Sequence, residues 1–324
     1  MKCAARQLLL RTMEKPSGQT DLQEQLRKLQ EKYAVMGQDL SSYLDGLLYS
    51  DYLTYWDYIH LDTLLSLQNP KTSFPDERVF ITYHQITELY FNLILWELKQ
   101  ITENVSLTEK FFIERLDRVV RYFRHLEDSF DVMVIGMEKD QFLKFRMALL
   151  PASGFQSAQY RLIELHATDL VNLVTPAMRA SVNQDSIDEQ LDKIYWRSGA
   201  TELLSGKKTL TLQQFENKYL AEFKEVASKH KGNNLRSIYL EHFAGNEVVI
   251  KRLREFDTLA NVLWPLAHMR SAGHYLQKDP EDIKATGGTN WQKYLPPRYQ
   301  KIIFFPELWS EEEKQQWGSA AFKR

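Results

Sequence analysis

The chain has 324 residues, of which 44% are apolar and 26% charged, and its formal net charge is −2. That length buries a sizeable core, and the near-neutral balance excludes the broad basic footprint of a nucleic-acid binder or a polybasic membrane surface. The single cysteine, Cys3, excludes an intramolecular disulfide framework, a cysteine-rich zinc site and covalent CxxCH haem attachment, and it points to a reducing, cytoplasmic setting.

Met1 to Met13 carries Lys2, Arg6 and Arg11 without an acid, plus Leu8, Leu9 and Leu10. It lacks the full apolar region and the cleavage site of a targeting signal. Residues 1–20 are therefore read as a disordered or dispensable extension, and residues 21–324 as one helical domain. Helix is expected over Asp21 to Lys32 and over Tyr49 to Gln68, the latter rich in aromatics and leucine. Val79 to Ile101 is apolar on more than one side, the pattern of a buried helix. Glu109 to Val134 carries an apolar stripe of Phe112, Leu116, Val119, Val120, Phe123 and Leu126. Further helices are expected at Lys139 to Leu150, Phe155 to Leu173, Ser186 to Trp196, Leu212 to His230, Ser237 to Phe256 and Thr258 to Gln277. Alternating strands joined by hairpin signals are absent, and no apolar run approaches the roughly 18 to 20 residues that span a bilayer. The expected fold is all-α, a single mainly helical domain.

Two of the eight histidines stand out. His84 lies in a long apolar helix with Phe80 one turn before it and Glu88 one turn after. A His–Glu pair at that spacing is a partial metal site, but neither HExxH nor ExxH occurs in the chain. His268 follows Trp264-Pro265-Leu266-Ala267 on an apolar helix, the way a protein offers one imidazole to haem iron. A core histidine bonded to a carbonyl fits the same spacing. Arg146, set among Phe142, Leu143, Phe145, Met147, Leu149 and Leu150, needs a carboxylate from within the chain or from a substrate. Thr286-Gly287-Gly288 is a flexible turn able to wrap a small polar ligand.

Taken in order, these segments resemble tryptophan 2,3-dioxygenases of the bacterial type. The similarity runs from Tyr55-Trp56-Asp57-Tyr58 through Phe80-Ile81-Thr82-Tyr83-His84-Gln85 to Phe145-Arg146 and Ser153-Gly154-Phe155-Gln156-Ser157-Ala158-Gln159-Tyr160-Arg161. It continues at Trp264-Pro265-Leu266-Ala267-His268, Thr286-Gly287-Gly288 and Phe304-Phe305-Pro306-Glu307-Leu308. The resemblance implies a haem pocket in a helix bundle, one haem b per subunit and a homotetramer. The implied reaction adds both atoms of the co-substrate O2 across the indole C2–C3 bond of L-tryptophan. By the same resemblance His268 is the iron ligand, and His84 accepts the indole N–H. Arg146 clamps the substrate carboxylate, Thr286 meets the carboxylate and ammonium, and Phe80 walls the pocket. Ser153 and Gly154 line the haem, and Tyr55 is delivered near the site by a neighbouring subunit.

The chain departs from the family pattern in three places. Phe142 stands where a tyrosine is common, Pro265 replaces an arginine, and the glycine loop reads Ala285-Thr286-Gly287-Gly288-Thr289-Asn290-Trp291 after several extra residues within Gln277 to Lys284. A related histidine-ligated haem enzyme that hydroxylates another aromatic amino acid is the alternative reading. A haem sensor without turnover is a third, but it leaves the amino-acid clamp unexplained.

Overall fold

The computed structural model describes residues 18–50, 53–149, 154–201, 206–276 and 296–319. Every regular element among them is helical; extended pairing is confined to isolated bridges between Val174 and Ile194 and between Thr201 and Lys208. The chain divides into two units, residues 1–67 and 68–324.

In the first unit, α1 (Gly18–Val35) and α2 (Leu40–Leu48) are followed by the short α3 (Tyr55–Tyr58) and α4 (Leu61–Leu65). Asp39 caps α2 and Thr54 caps α3 through side-chain oxygens that accept from backbone N–H groups. The helix expected over Tyr49 to Gln68 is thus in pieces, because His60 takes a left-handed conformation (φ 50°) that ends one turn and starts the next. No residue of α2, α3 or α4 is buried. The proposed extension of residues 1–20 falls largely outside the described residues.

The second unit is built on α5 (Asp76–Thr102), α6 (Glu109–Ser129), α7 (Asp131–Val134), α8 (Lys139–Phe145), α9 (Ala158–Ala167), α10 (Ile187–Asp192), α11 (Tyr195–Gly199), α12 (Leu210–Lys229), α13 (Leu235–Ile238), α14 (Glu247–Thr258) and α15 (Trp264–Leu276). The apolar stripe of α6 is fully inside: Phe112, Leu116, Val119, Val120, Phe123 and Leu126 are at most 3% exposed. Each such side chain contributes about 1.5–3 kcal/mol by leaving water. α6 packs between α5 and α14, and buried Glu97 of α5 holds Arg115 and Arg118 of α6, each at 3.3 Å.

Several further expected helices are interrupted: Lys139–Leu150 gives way to a 3-10 turn after Phe145, Phe155–Leu173 is helical over Ala158–Ala167 with a 3-10 turn at Leu170–Leu173, and Ser186–Trp196 splits into α10 and α11. Phe130 breaks Glu109–Val134 into α6 and α7. Gly245 (φ +83°) and the Asn246 cap break Ser237–Phe256, after a π-helical turn at Tyr239–Phe243. A second π-helical segment, Leu259–Leu263, joins α14 to α15.

Asp257, at the end of α14, fixes the C-terminal segment. Its carboxylate accepts from the N–H groups of Phe304 (2.9 Å) and Phe305 (3.2 Å), from the Trp309 indole (2.9 Å) and from Asn261 (2.8 Å). Burial pushes its pKa up to about 6 against these four donors, so at neutral pH it is ionised. Asp257→Ala leaves four buried donors without that acceptor, and chemical denaturation is expected to show a loss of about 3–5 kcal/mol. A loss below about 1 kcal/mol would contradict the anchoring role.

His166 and His230 pack with ring centroids 4.1 Å apart and planes tilted by 42°, their Nδ1–H groups donating to Leu162 O (2.8 Å) and Asn233 O (3.0 Å). Burial lowers the His166 pKa from 6.5 to about 4, and the neighbouring His230 adds to the shift. The unfolded chain takes up this proton below pH 6.5 and the folded chain only near pH 4. Stability present above the unfolded value is therefore lost as pH falls through that window, by about 3 kcal/mol. Urea midpoints at about pH 7 and pH 4.5 measure the loss, and His166→Gln is expected to remove most of it.

Candidate functional site

The haem-helix candidate α15 packs against α6, α7 and α8, and α5 packs against α7 and α8. Five helices therefore bring side chains to one place. Ser271 of α15 donates to Met133 O (2.7 Å) and the Tyr275 hydroxyl donates to Met137 O (3.2 Å), tying α15 to the segment around α7. The start of α8 is tied to the start of α5 by Glu138 N–H on the Asp76 carboxylate (2.6 Å).

His84 and His268 are oriented in the same manner. His84 Nδ1 lies 2.8 Å from Phe80 O and His268 Nδ1 lies 2.9 Å from Trp264 O. A carbonyl only accepts, so each Nδ1 carries the proton and each Nε2 keeps its lone pair. Burial lowers the pKa of both rings. For His268 it reaches about 4, opposed by the bond to Trp264, with the proximity of His84 lowering it further. Both are neutral acceptors at physiological pH. The His268 ring meets Phe130, at the break between α6 and α7, and Trp264 at 4.5 Å each.

On the α5 side, Phe80 lies 4.1 Å from the His84 ring, 5.6 Å from Phe145 and 6.2 Å from Phe142. Phe142 in turn packs at 4.5 Å on Tyr275, two turns beyond His268 on α15. Arg146 opens a 3-10 turn (Arg146–Leu149) directly after α8, and burial lowers its pKa from the usual arginine value. Gly154 begins a second 3-10 turn at Gly154–Gln156 and is exposed. Tyr55 belongs to the first unit, where it is 70% exposed. Ser153 and Thr286 lie outside the described residues.

The structure gives Glu88 a partner other than His84. The Glu88 carboxylate accepts from Gln159 Nε2 at 2.9 Å, as does Glu88 O at 2.8 Å, so it joins α5 to α9 and is not shared with the imidazole. Among the described residues no group of three or more His, Cys, Asp or Glu converges on a metal-sized space. Phe130 and Tyr275 are residues the sequence did not mark, and Gln159 was marked only as part of the SGFQSAQYR run. Of the two unmarked residues only Tyr275 left a signal, its seven-residue spacing from His268.

A family model described as "Tryptophan 2,3-dioxygenase" matches residues 46–279. The chain belongs to this family. Among relatives, the tryptophan 2,3-dioxygenase of Ruegeria pomeroyi is 39% identical over 271 residues, covering 81% of this chain and 92% of that protein. The protein of the same name from Polaromonas naphthalenivorans is 27% identical over 281 residues, covering 81% and 91%. That from Bacillus thuringiensis is 27% identical over 286 residues, covering 82% and 94%. For a family that is haem-dependent in general, the donor set fits: His268 offers one neutral Nε2 from an aromatic wall, held by its own backbone bond.

Proposed function

We propose that the chain is a haem-dependent dioxygenase that inserts both atoms of O2 across the indole C2–C3 bond of L-tryptophan, giving N-formylkynurenine, the first step of tryptophan catabolism by the kynurenine pathway. Family membership and the name its relatives share support the activity over hydroxylation of another aromatic amino acid. The observation that carries the reading is the pair of neutral imidazoles, His84 and His268, each with Nδ1–H spent on a carbonyl and Nε2 left as an acceptor.

His268 Nε2 would hold the iron of one haem b per subunit, with Ser153 and Gly154 beside it. Bound haem supplies the oxygen chemistry. The protein supplies orientation. His84 Nε2 accepts the indole N–H, and because the ring is neutral it does so without first losing a proton. Phe80 and Phe142 wall the indole, Arg146 takes the substrate carboxylate bidentately, and Thr286 meets its carboxylate and ammonium end. Phe142 brings no hydroxyl to the carboxylate, which leaves more of the clamp to Arg146.

The quaternary reading is a homotetramer in which Tyr55 serves a neighbouring subunit's site. Leu47, Leu48, Tyr49, Tyr55 and Tyr58 of the first unit are all at least 70% exposed, a surface suited to burial between subunits. A cytoplasmic setting is supported by the lone Cys3, and residues 21–324 are taken as the catalytic domain. No helix among the described residues is long and apolar enough to cross a membrane.

Arg146→Ala is expected to raise KM for L-tryptophan by roughly 10–100-fold, the loss of a charge-assisted pair, with a smaller fall in kcat. An unchanged KM would remove Arg146 from the site. His268→Ala should abolish haem retention; a variant with a normal haem spectrum would refute iron ligation.

A further inference from the structure

The π-helical segment Leu259–Leu263 leaves one backbone acceptor without its usual partner. The Trp264 N–H donates to Leu259 O, five residues back, and not to Ala260 O. A π turn would next close residue 265 onto Ala260 O, but residue 265 is proline and has no N–H to give. Ala260 is fully buried, where a carbonyl needs a donor from elsewhere.

Tyr160 provides that donor. Its hydroxyl donates to Ala260 O at 2.8 Å, reaching from α9 across 100 positions of sequence. Burial raises the Tyr160 pKa, so the group stays an O–H donor at any physiological pH. The ring is held by Phe91 at 5.4 Å, and Phe91 meets Trp264 edge-on at 5.8 Å, so the same contact reaches the first residue of α15. One residue added within a turn rotates the downstream helix by roughly 100° relative to an uninterrupted α-helix. The π turn therefore decides which face of α15 carries His268 into the site.

We propose that Tyr160 is a positioning residue for the His268 helix: its hydroxyl replaces the N–H that Pro265 lacks, stabilises the π turn, and thereby sets the direction in which His268 Nε2 is presented to the haem. Only the last clause rests on the function proposed above.

The test is a double-mutant cycle of Tyr160→Phe and Pro265→Ala in the full chain. Tyr160→Phe alone should lower the Tm of the haem-free protein by about 2–4 °C, the effect of one orphaned buried acceptor. In the haem-loaded ferrous protein it should also shift the iron–histidine stretching frequency and the haem midpoint potential. In the Pro265→Ala background a backbone N–H returns to residue 265, and Tyr160→Phe should then cost less than half as much in Tm and in the spectral shift. Equal costs in both backgrounds would overturn the compensation. Coupling in Tm with an unshifted iron–histidine frequency would overturn the positioning role. Failure of the parent protein to take up haem would count against the proposed function, while the haem-free Tm values still decide the hydrogen bond.

Discussion

The site depends on a hydrogen bond made twice: an imidazole Nδ1–H given to the carbonyl one turn earlier in the same helix. It fixes the tautomer of His84 against Phe80 O and that of His268 against Trp264 O. Each bond lies within one helix, so each ring takes its orientation from its own helix. Each also removes the one proton that would compete for the Nε2 lone pair. Tertiary packing then has only to aim two helices.

That aiming is done by side chains that touch neither imidazole. Gln159 bonds Glu88, one turn beyond His84 on α5, and its neighbour Tyr160 bonds Ala260, one turn before α15. Helix α9 thus holds both histidine-bearing helices through consecutive residues. Asp257 holds the C-terminal Phe304-Phe305 segment against the end of α14, immediately before the π turn. Gln159 and Tyr160 act on α5 and on the π turn before α15, while the Phe304 to Leu308 run is held by α14, which leads into that turn.

The helical class and the stripe on α6 were legible because both depend on local periodicity: the six residues that the spacing placed on one face are the six that are buried. The breaks were not. Phe130 and His60 interrupt runs whose propensities are helical throughout; at buried Phe130 tertiary packing overrides propensity, and at exposed His60 the break is a left-handed backbone turn. His84, Phe80, Phe142 and His268 could be chosen from composition and resemblance, and the structure brings them to the junction of α5, α8 and α15. Glu88 shares a face with His84 by its i, i+4 spacing, but spacing does not show which group its carboxylate meets. That group, Gln159, lies 71 residues away in a run the sequence marked only as a motif. Pro265 was visible as a departure in the sequence, but its consequence was not, since that needs the Tyr160 hydroxyl from another helix.

The central claim is that a neutral imidazole pair orients haem and indole for transfer of both oxygen atoms. The most direct test reduces the haem-loaded protein anaerobically, adds L-tryptophan and admits ¹⁸O2, then weighs the product. The account predicts N-formylkynurenine carrying two labelled oxygens, one O2 consumed per tryptophan. A product carrying one labelled oxygen, with the second recovered in water, would identify a hydroxylase and contradict it.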